Sequence, residues 1–324
     1  MSMGILGIAA GPAAQSTRSI DGAVVSVARH RGDARRTPWH AAVSVIARGA
    51  VVIPAHDEAA VISRTLSALA PLAALGGVEV IVACNGCRDD TADRARAFAG
   101  VRVAETDEAS KPAGLNLGDR TATLWPRLYL DADIDITPGA VLAVFAALAE
   151  PGVLAARPPY VYDTTGATAP VRAYYRARAR IPAPPERLWG AGGYATNELG
   201  HERFDAFPTV TADDSWFDAQ FSPAEKRIVD TDPMRVSTPR DSGALLAVLA
   251  RQRRGYVEIG IAATTGARAG ALVRSVRTPK DAVDAVVYVA LTLVSRRRAR
   301  RAARAARPIW ERDASTREGA EVLA

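Results

Sequence analysis

Leu128-Tyr129-Leu130-Asp131-Ala132-Asp133 is an apolar run that stops at two carboxylates. The run predicts a buried strand, and residues two apart in an extended segment project to the same side. Two acidic oxygen donors at a strand's carboxyl end suit a hard divalent cation. Such an ion takes carboxylate oxygens and fills its other positions with waters and substrate phosphates. The stretch therefore points to an α/β domain that handles a diphosphate-linked ligand at its strand ends.

Upstream, the same alternation repeats. Gly49 to Pro54 reads as a strand stopped by Pro54, and His56-Asp57-Glu58 follows at a loop or helix start, where acids complement the helix dipole. Val61, Ile62, Leu66 and Leu69 give Ala60–Ala70 helical spacing, with Pro71 expected to end or kink it. Glu79 to Cys84 is a second strand, Asn85 to Asp90 a turn that caps a helix over Thr91–Ala99, and Val101 to Ala104 a third strand. Lys111 to Leu117 opens a further helix, Arg127 to Leu130 is the fourth strand, and Pro138 to Leu148 is helical. Near-continuous apolar strands alternating with helices imply a parallel sheet covered on both faces. Ligands of such sheets bind beyond the strands' carboxyl ends. The polar clusters His56–Glu58, Asn85–Asp90 and Asp131–Asp133 all fall there, with Asp135 expected in solvent.

Downstream of Pro151 the pattern is mixed. Val153–Ala156 and Val161-Tyr162 read as strands, Val171–Arg180 as a basic helix, and Trp189–Tyr194 as a glycine-rich loop or strand edge. Pro208 to Asp214 ends in a second acid pair. Ser242–Arg254 and Asp281–Ala306 read as helices, the latter apolar first and basic after. Residues 1–48 are expected to be a flexible leader holding a weak strand at Val24–Ala28, and no signal is strong from Glu311 on.

With 48% hydrophobic and 23% charged residues among 324, the chain can bury a full core and is not a disordered one. The net charge of +6 is concentrated in Arg296-Arg297-Arg298, Arg300-Arg301, Arg304 and Arg307. That cluster suits phosphate-rich partners or, with the apolar Tyr288–Val294 beside it, peripheral contact with an anionic membrane. Nucleic acid is disfavoured because no recognition motif accompanies the charge. Met1 to Ala14 lacks the basic opening of a secretory signal, and Val283–Val294 is interrupted by Asp284 before it reaches the length of a membrane span. Cys84 and Cys87 have no second cysteine pair, so the expectation is strand packing in a reduced, cytoplasmic setting.

Taken together, the motifs resemble the family 2 glycosyltransferases, whose fold is called GT-A. Val52-Ile53-Pro54-Ala55-His56-Asp57-Glu58 is similar to the family's first-strand motif. Ala83-Cys84-Asn85-Gly86-Cys87-Arg88-Asp89-Asp90-Thr91 looks like the second, where a nucleoside base is held. Lys111–Asn116 matches the lysine-to-asparagine helix start, Asp131-Ala132-Asp133 the D-x-D metal motif, and Ala212-Asp213-Asp214 the acid pair that includes the base. The order and spacing of five motifs carry the resemblance. Asn85 departs from the aspartate that many members have, which leaves the nucleobase open. A tryptophan is missing after Arg253-Arg254, where members often place a basic motif including a group at Arg251.

The resemblance implies a metal-dependent, inverting transfer of sugar from a nucleotide-diphosphate sugar to an acceptor hydroxyl. Pro54, His56, Glu58 and Asn85 would line the nucleoside pocket, and Lys111 would lie near the donor. Asp131 and Asp133 would orient Mg²⁺ or Mn²⁺ and the ribose. Asp214 would take the acceptor's proton, with Asp213 beside it. The acceptor is unidentified, lipid-linked or a small molecule. The implied architecture is an α/β GT-A domain over 49–265, with a donor half at 49–136 and a mixed acceptor half at 137–265. A helical, basic tail follows at 266–324. Two rivals remain at this level. A nucleotidyltransferase on a similar scaffold lacks support from the loop after Pro54, and a non-catalytic nucleotide-sugar-binding protein would have no need of Asp131 and Asp133.

Overall fold

The computed structural model describes residues 17–20, 23–26, 48–74, 76–182, 186–260 and 265–303. Most of the expected leader, Arg304, Arg307 and the chain from Glu311 on lie outside them. The chain divides into two units, Met1–Ala47 and Arg48–Ala324. In the first, β1 (Thr17–Ile20) pairs antiparallel with β2 (Ala23–Ser26), Thr17 opposite Ser26.

The second unit begins with the expected alternation. It runs β3 (Gly49–Ala55), α1 (Ala59–Ala74), β4 (Val78–Asn85), α2 (Thr91–Arg96), β5 (Val101–Thr106), α3 (Lys111–Thr121), β6 (Arg127–Leu130), β7 (Ile134–Asp135) and α4 (Pro138–Leu148). It continues through β8 (Ala155–Arg157), β9 (Tyr160–Asp163), α5 (Ala169–Ala179), β10 (Gly193–Thr196), α6 (Glu198–His201) and α7 (Asp213–Asp218). The last elements are β11 (Lys226–Ile228), β12 (Met234–Ser237), α8 (Ser242–Glu258), α9 (Thr265–Arg274) and α10 (Pro279–Ala303). Local signals start α3 and α4. Ser110 Oγ accepts from Ala113 N, Thr137 Oγ1 accepts from Ala140 N, and a proline sits in each first turn.

Seven strands form one sheet in the order β11-β8-β10-β6-β3-β4-β5. All pairs are parallel except those of β10, which runs antiparallel to both β6 and β8. A small sheet, β7-β12-β9, stands beside it. Period-two alternation sorts β3 between the sheet's faces. Val51 and Ile53 join Ile62, Ala95 and Val144 of α1, α2 and α4 in one core. Ala50 and Val52 join Leu115 of α3, Phe217 of α7 and the aromatic group Tyr129, Tyr194 and Phe207 in the other.

The structure revises several local expectations. The helix α1 continues beyond Pro71 to Ala74. The segment read as a loop or edge at Trp189–Tyr194 leads into β10, which is buried along its length inside the sheet. Asp135 is not simply solvated, because Arg64 Nε lies 2.8 Å from it. Asp284, the residue that broke the apolar run of the C-terminal helix, is 1% exposed and paired with Arg176 at 2.6 Å and Arg180 at 3.4 Å. It therefore locks α10 onto α5, while Val283, Val286, Val289 and Leu293 remain exposed. Among the described residues no helix is long and apolar enough to cross a membrane.

Candidate active site

Asp131 leaves β6 at the carboxyl end of the sheet. Its N–H donates to Gly192 O at 2.7 Å, just before β10 begins. Gly192 has φ +70°, and a Cβ there would lie 2.7 Å from Ile134 and 3.1 Å from Asp131 Oδ2. Glycine is therefore required for the close approach and for the left-handed backbone. From the other side, α1 holds the turn between the two acids. Thr65 Oγ1 donates to Ala132 O at 2.7 Å and Arg64 Nη2 to Asp133 O at 3.0 Å.

The second acid pair opens α7, where the dipole favours carboxylates. Two anchors fix the segment before it. Asn116 of α3 exchanges two hydrogen bonds with the backbone of Phe207, at 2.8 and 3.0 Å. Glu258 at the end of α8 accepts from the Thr211 N–H and hydroxyl at 2.9 and 3.0 Å. Asp213 is buried and accepts from Tyr194 OH at 2.8 Å. Asp214 turns the other way and accepts from Gly190 N and Ser215 N, both at 2.6 Å.

Lys111, the first residue of α3, joins the two pairs. Its Nζ lies 2.7 Å from Asp131 and 3.0 Å from Asp213. Burial works against the ammonium, but the Asp131 and Asp213 carboxylates outweigh it and hold Lys111 charged well above the ordinary lysine range. Burial also pushes the Asp131 carboxyl up to about 6, Lys111 opposing and Asp213 and Asp133 reinforcing the rise. Asp214 is raised by burial and then by Asp213, against its backbone hydrogen bonds. Asp131 and Asp213 thus share one lysine, with Asp214 close enough to feel its charge and Asp133 close enough to raise Asp131. The excess of negative oxygen donors fits a hard divalent cation, and Asp131 and Asp133 are the pair that could hold one. A raised carboxylate beside them can act as a proton acceptor near neutral pH.

β3 runs one residue past Pro54, which was expected to stop it, and Asn85 ends the neighbouring β4. Asn85 is fully buried, yet among the described residues neither its Oδ1 nor its Nδ2 has a partner. A Cβ on Gly114 would come within 2.7 Å of Asn85 Oδ1 and 3.0 Å of Pro54 Cβ, so α3 closes over the amide only because that residue is glycine. The His56 ring nitrogen Nδ1 is 2.6 Å from Asn85 O. Glu58 is buried, and its N–H donates to Thr91 Oγ1 at 2.7 Å. Pro54, His56, Glu58 and Asn85 therefore gather beyond β3 and β4, while Lys111 joins Asp131 to Asp213, with Asp133 and Asp214 next in the chain.

A separate group, Asp57, Cys87 and Asp89, brings donor atoms within 4.8 Å of one another. Its oxygens already accept from Arg88 N, Ala59 N, Thr91 N and Thr91 Oγ1. Those bonds tie the loop after β3 to the turn after β4. Cys84 belongs to the core, as expected of a strand residue.

Of the basic residues expected near the donor, Arg253 is engaged with α10: its Nε donates to Ser295 at 3.0 Å. Arg187 stands nearer the acids, with Tyr160, Trp189 and Tyr256 around it. Neither Arg187 nor Tyr194 carries a local signal in the sequence, since each acts through a neighbour distant along the chain.

Three comparisons place this arrangement among known proteins. The Glycosyl transferase family 2 profile matches residues 50–202. A mannosyltransferase from Pyrobaculum calidifontis, solved with GDP-Man and Mn²⁺, is similar at 20% identity and TM-score 0.50, over 81% of this chain and 76% of that one. A mycobacterial protein matches at 21% identity and TM-score 0.47, over 71% and 82% of the two chains. Glucosyl-3-phosphoglycerate synthase from Mycobacterium tuberculosis, solved with Mn²⁺, UDP and phosphoglyceric acid, matches at 21% and 0.46, over 70% and 86%. At these identities the first likeness is one of fold, the GT-A fold. No curated protein sequence matches the chain.

Proposed function

We propose that this chain, a glycosyltransferase with the family 2 domain over residues 50–202, inverts a nucleotide sugar onto an acceptor hydroxyl in a metal-dependent single displacement. The observation that carries the reading is Lys111, which lies 2.7 Å from the strand-end Asp131 and 3.0 Å from the helix-start Asp213. That bridge puts the acids of the donor half, 49–136, and of the acceptor half, 137–265, in one cleft.

In this reading Asp131 and Asp133 hold Mg²⁺ or Mn²⁺, which supplies Lewis-acid stabilisation of the departing diphosphate. Pro54, His56, Glu58 and Asn85 line the nucleoside end. The unpartnered Asn85 amide lies within that end. Lys111 contributes a fixed positive charge beside the phosphates. Asp214 accepts the acceptor's proton as its oxygen bonds to the anomeric carbon and the bond to phosphate breaks, releasing the nucleoside diphosphate. Asp213 keeps Lys111 and Tyr194 in place. GDP and UDP in the complexes of the Pyrobaculum and Mycobacterium proteins make both candidate leaving groups. Cys84 and Cys87, both free thiols, suit a cytoplasmic setting. The exposed valines of α10 beside Arg296–Arg298 suit contact with an anionic membrane face.

The test is release of nucleoside diphosphate from a panel of nucleotide sugars with Mn²⁺ or Mg²⁺, with soluble and lipid acceptors. The expected result is metal-dependent release that Asp133→Ala abolishes together with nucleotide binding. Asp214→Asn should abolish transfer while nucleotide binding persists. Nucleotide binding by Asp133→Ala equal to wild type would overturn the metal assignment, and pyrophosphate as product would overturn the reaction class.

A further inference from the structure

Near Asp214, arginines collect with no acid in ion-pair distance among the described residues. Arg157 is 4% exposed and Arg187 is 8% exposed. Arg157 Nε donates to Arg187 O at 2.9 Å and its Nη1 to Pro158 O at 2.7 Å. Arg187 gives Nη2 to Tyr160 OH and lies over the Trp189 ring, with Cζ 4.5 Å from the centroid. Its Nε is buried with no partner among the described residues. Arg268 of α9 stands close enough to repel Arg187. Among the described residues none of the three makes an ion pair.

The nearby acids are engaged elsewhere. Asp218 accepts from Leu188 N at 2.8 Å and pairs with Lys226 at 2.9 Å. Asp214 accepts from Gly190 and Ser215. Burial and mutual repulsion consequently push the arginines down, Arg157 to about 10. Asp218 attracts both buried guanidinium groups and Asp214 attracts Arg187, without forming an ion pair among the described residues, and buried cations are costly unless an anion completes them. Guanidinium forks match carboxylate and phosphate oxygens. The rings of Tyr160 and Trp189 flank Arg187, and Tyr256 packs against Trp189.

We propose that Arg157, Arg187 and Arg268 form a subsite for an anionic group, phosphate or carboxylate, carried by the acceptor. The inference rests on the glycosyltransferase reading for the word acceptor. Its geometry rests on α7: Asp213 pairs with Lys111, while Asp214 accepts from Gly190 and lies close enough to attract Arg187. An acceptor anchored there brings its hydroxyl to the carboxylate that removes the proton.

The test is calorimetric titration with inorganic phosphate on full-length protein saturated with UDP or GDP and Mg²⁺. Wild type should bind phosphate at one site. Arg187→Gln and Arg268→Ala should each weaken it by about tenfold or more, as loss of a charge-assisted hydrogen bond implies, with unchanged nucleotide affinity. Arg268 sits on a separate helix, so its variant reads the subsite even if the buried Arg187 variant does not fold. Displacement of phosphate by glycerol 3-phosphate would identify a soluble acceptor. Displacement only by phosphatidate in detergent micelles would identify a lipid-borne one. Phosphate that competes one for one with the nucleotide, or binds the Arg268 variant as tightly as wild type, overturns the proposal. Absence of nucleotide binding would instead count against the donor reading, and the same phosphate series on nucleotide-free protein would still decide the subsite.

Discussion

Lys111 Nζ lies 3.0 Å from Asp213 Oδ2, so the first residue of α3 meets the first residue of α7 at the centre of the cleft. The same ammonium reaches Asp131 at 2.7 Å. Removing it leaves two carboxylates facing each other with no cation between them. Breaking a fully buried pair costs about 3–5 kcal/mol. Lys111 is one quarter exposed, so Lys111→Met is expected to lose about 2–3 kcal/mol in urea denaturation at neutral pH. Unchanged stability would mean that the bridge contributes nothing to folding.

The pH dependence of transfer should follow Asp214. Burial, and then the Asp213 charge, raise its carboxyl. A base must be unprotonated, so kcat/KM should fall as pH drops through that raised pKa, above the ordinary carboxylate range. Asp213→Asn removes the neighbouring charge and should move this acid limb to lower pH. A limb that stays in place in Asp213→Asn would exclude Asp214 as the titrating group.

Gly192→Ala tests the contact between Asp131 and the start of β10. The new methyl would meet Ile134 at 2.7 Å in a left-handed backbone. A cost of about 1–3 kcal/mol is expected. Metal-dependent nucleotide binding should weaken further than stability explains, because Asp131 must shift. Calorimetry of nucleotide binding on the folded variant checks this.

At the opposite end of β6, Asp119 accepts from Arg127 at 2.6 Å, Tyr129 OH at 2.7 Å and His201 Nε2 at 2.6 Å. Burial alone would raise this carboxyl, but hydrogen bonds from His201 and Tyr129 and the Arg127 charge hold it below the usual range. A lowered folded-state pKa gives stability present above the unfolded pKa and lost as pH falls through the folded one. Asp119→Asn should therefore cost about 3 kcal/mol at neutral pH, the gap to wild type narrowing in acid. Denaturation curves across pH measure it. A gap that stays constant into acid would assign the loss to packing rather than charge.

The first strands were legible because their signals are local. The apolar runs ending at Pro54, Cys84 and Leu130 are each read within a few residues, and they proved to be strands ending at Ala55, Asn85 and Leu130. The segment Trp189–Tyr194 was harder. Its glycines satisfy loop and strand rules alike, and only pairing of Gly193 with Leu130 and of Ala195 with both Leu128 and Ala156 places β10 inside the sheet. The basic group followed the same logic. Arg253 looked suitable from its position but faces Ser295, while Arg187 lies beside Trp189 and near Asp214.

By itself the sequence determined the strand–helix alternation, the acids that terminate the strands and the second acid pair at Asp213 and Asp214. Hydrophobic periodicity and chain-terminating residues act over one element, so they survive without knowledge of the fold. Tertiary structure alone decided which charges meet: Lys111 between Asp131 and Asp213, Asp214 turned towards Gly190, and Asp284 buried against Arg176. Those contacts join elements far apart in the chain, and their electrostatics depend on burial and distance, which exist only once the sheet has assembled.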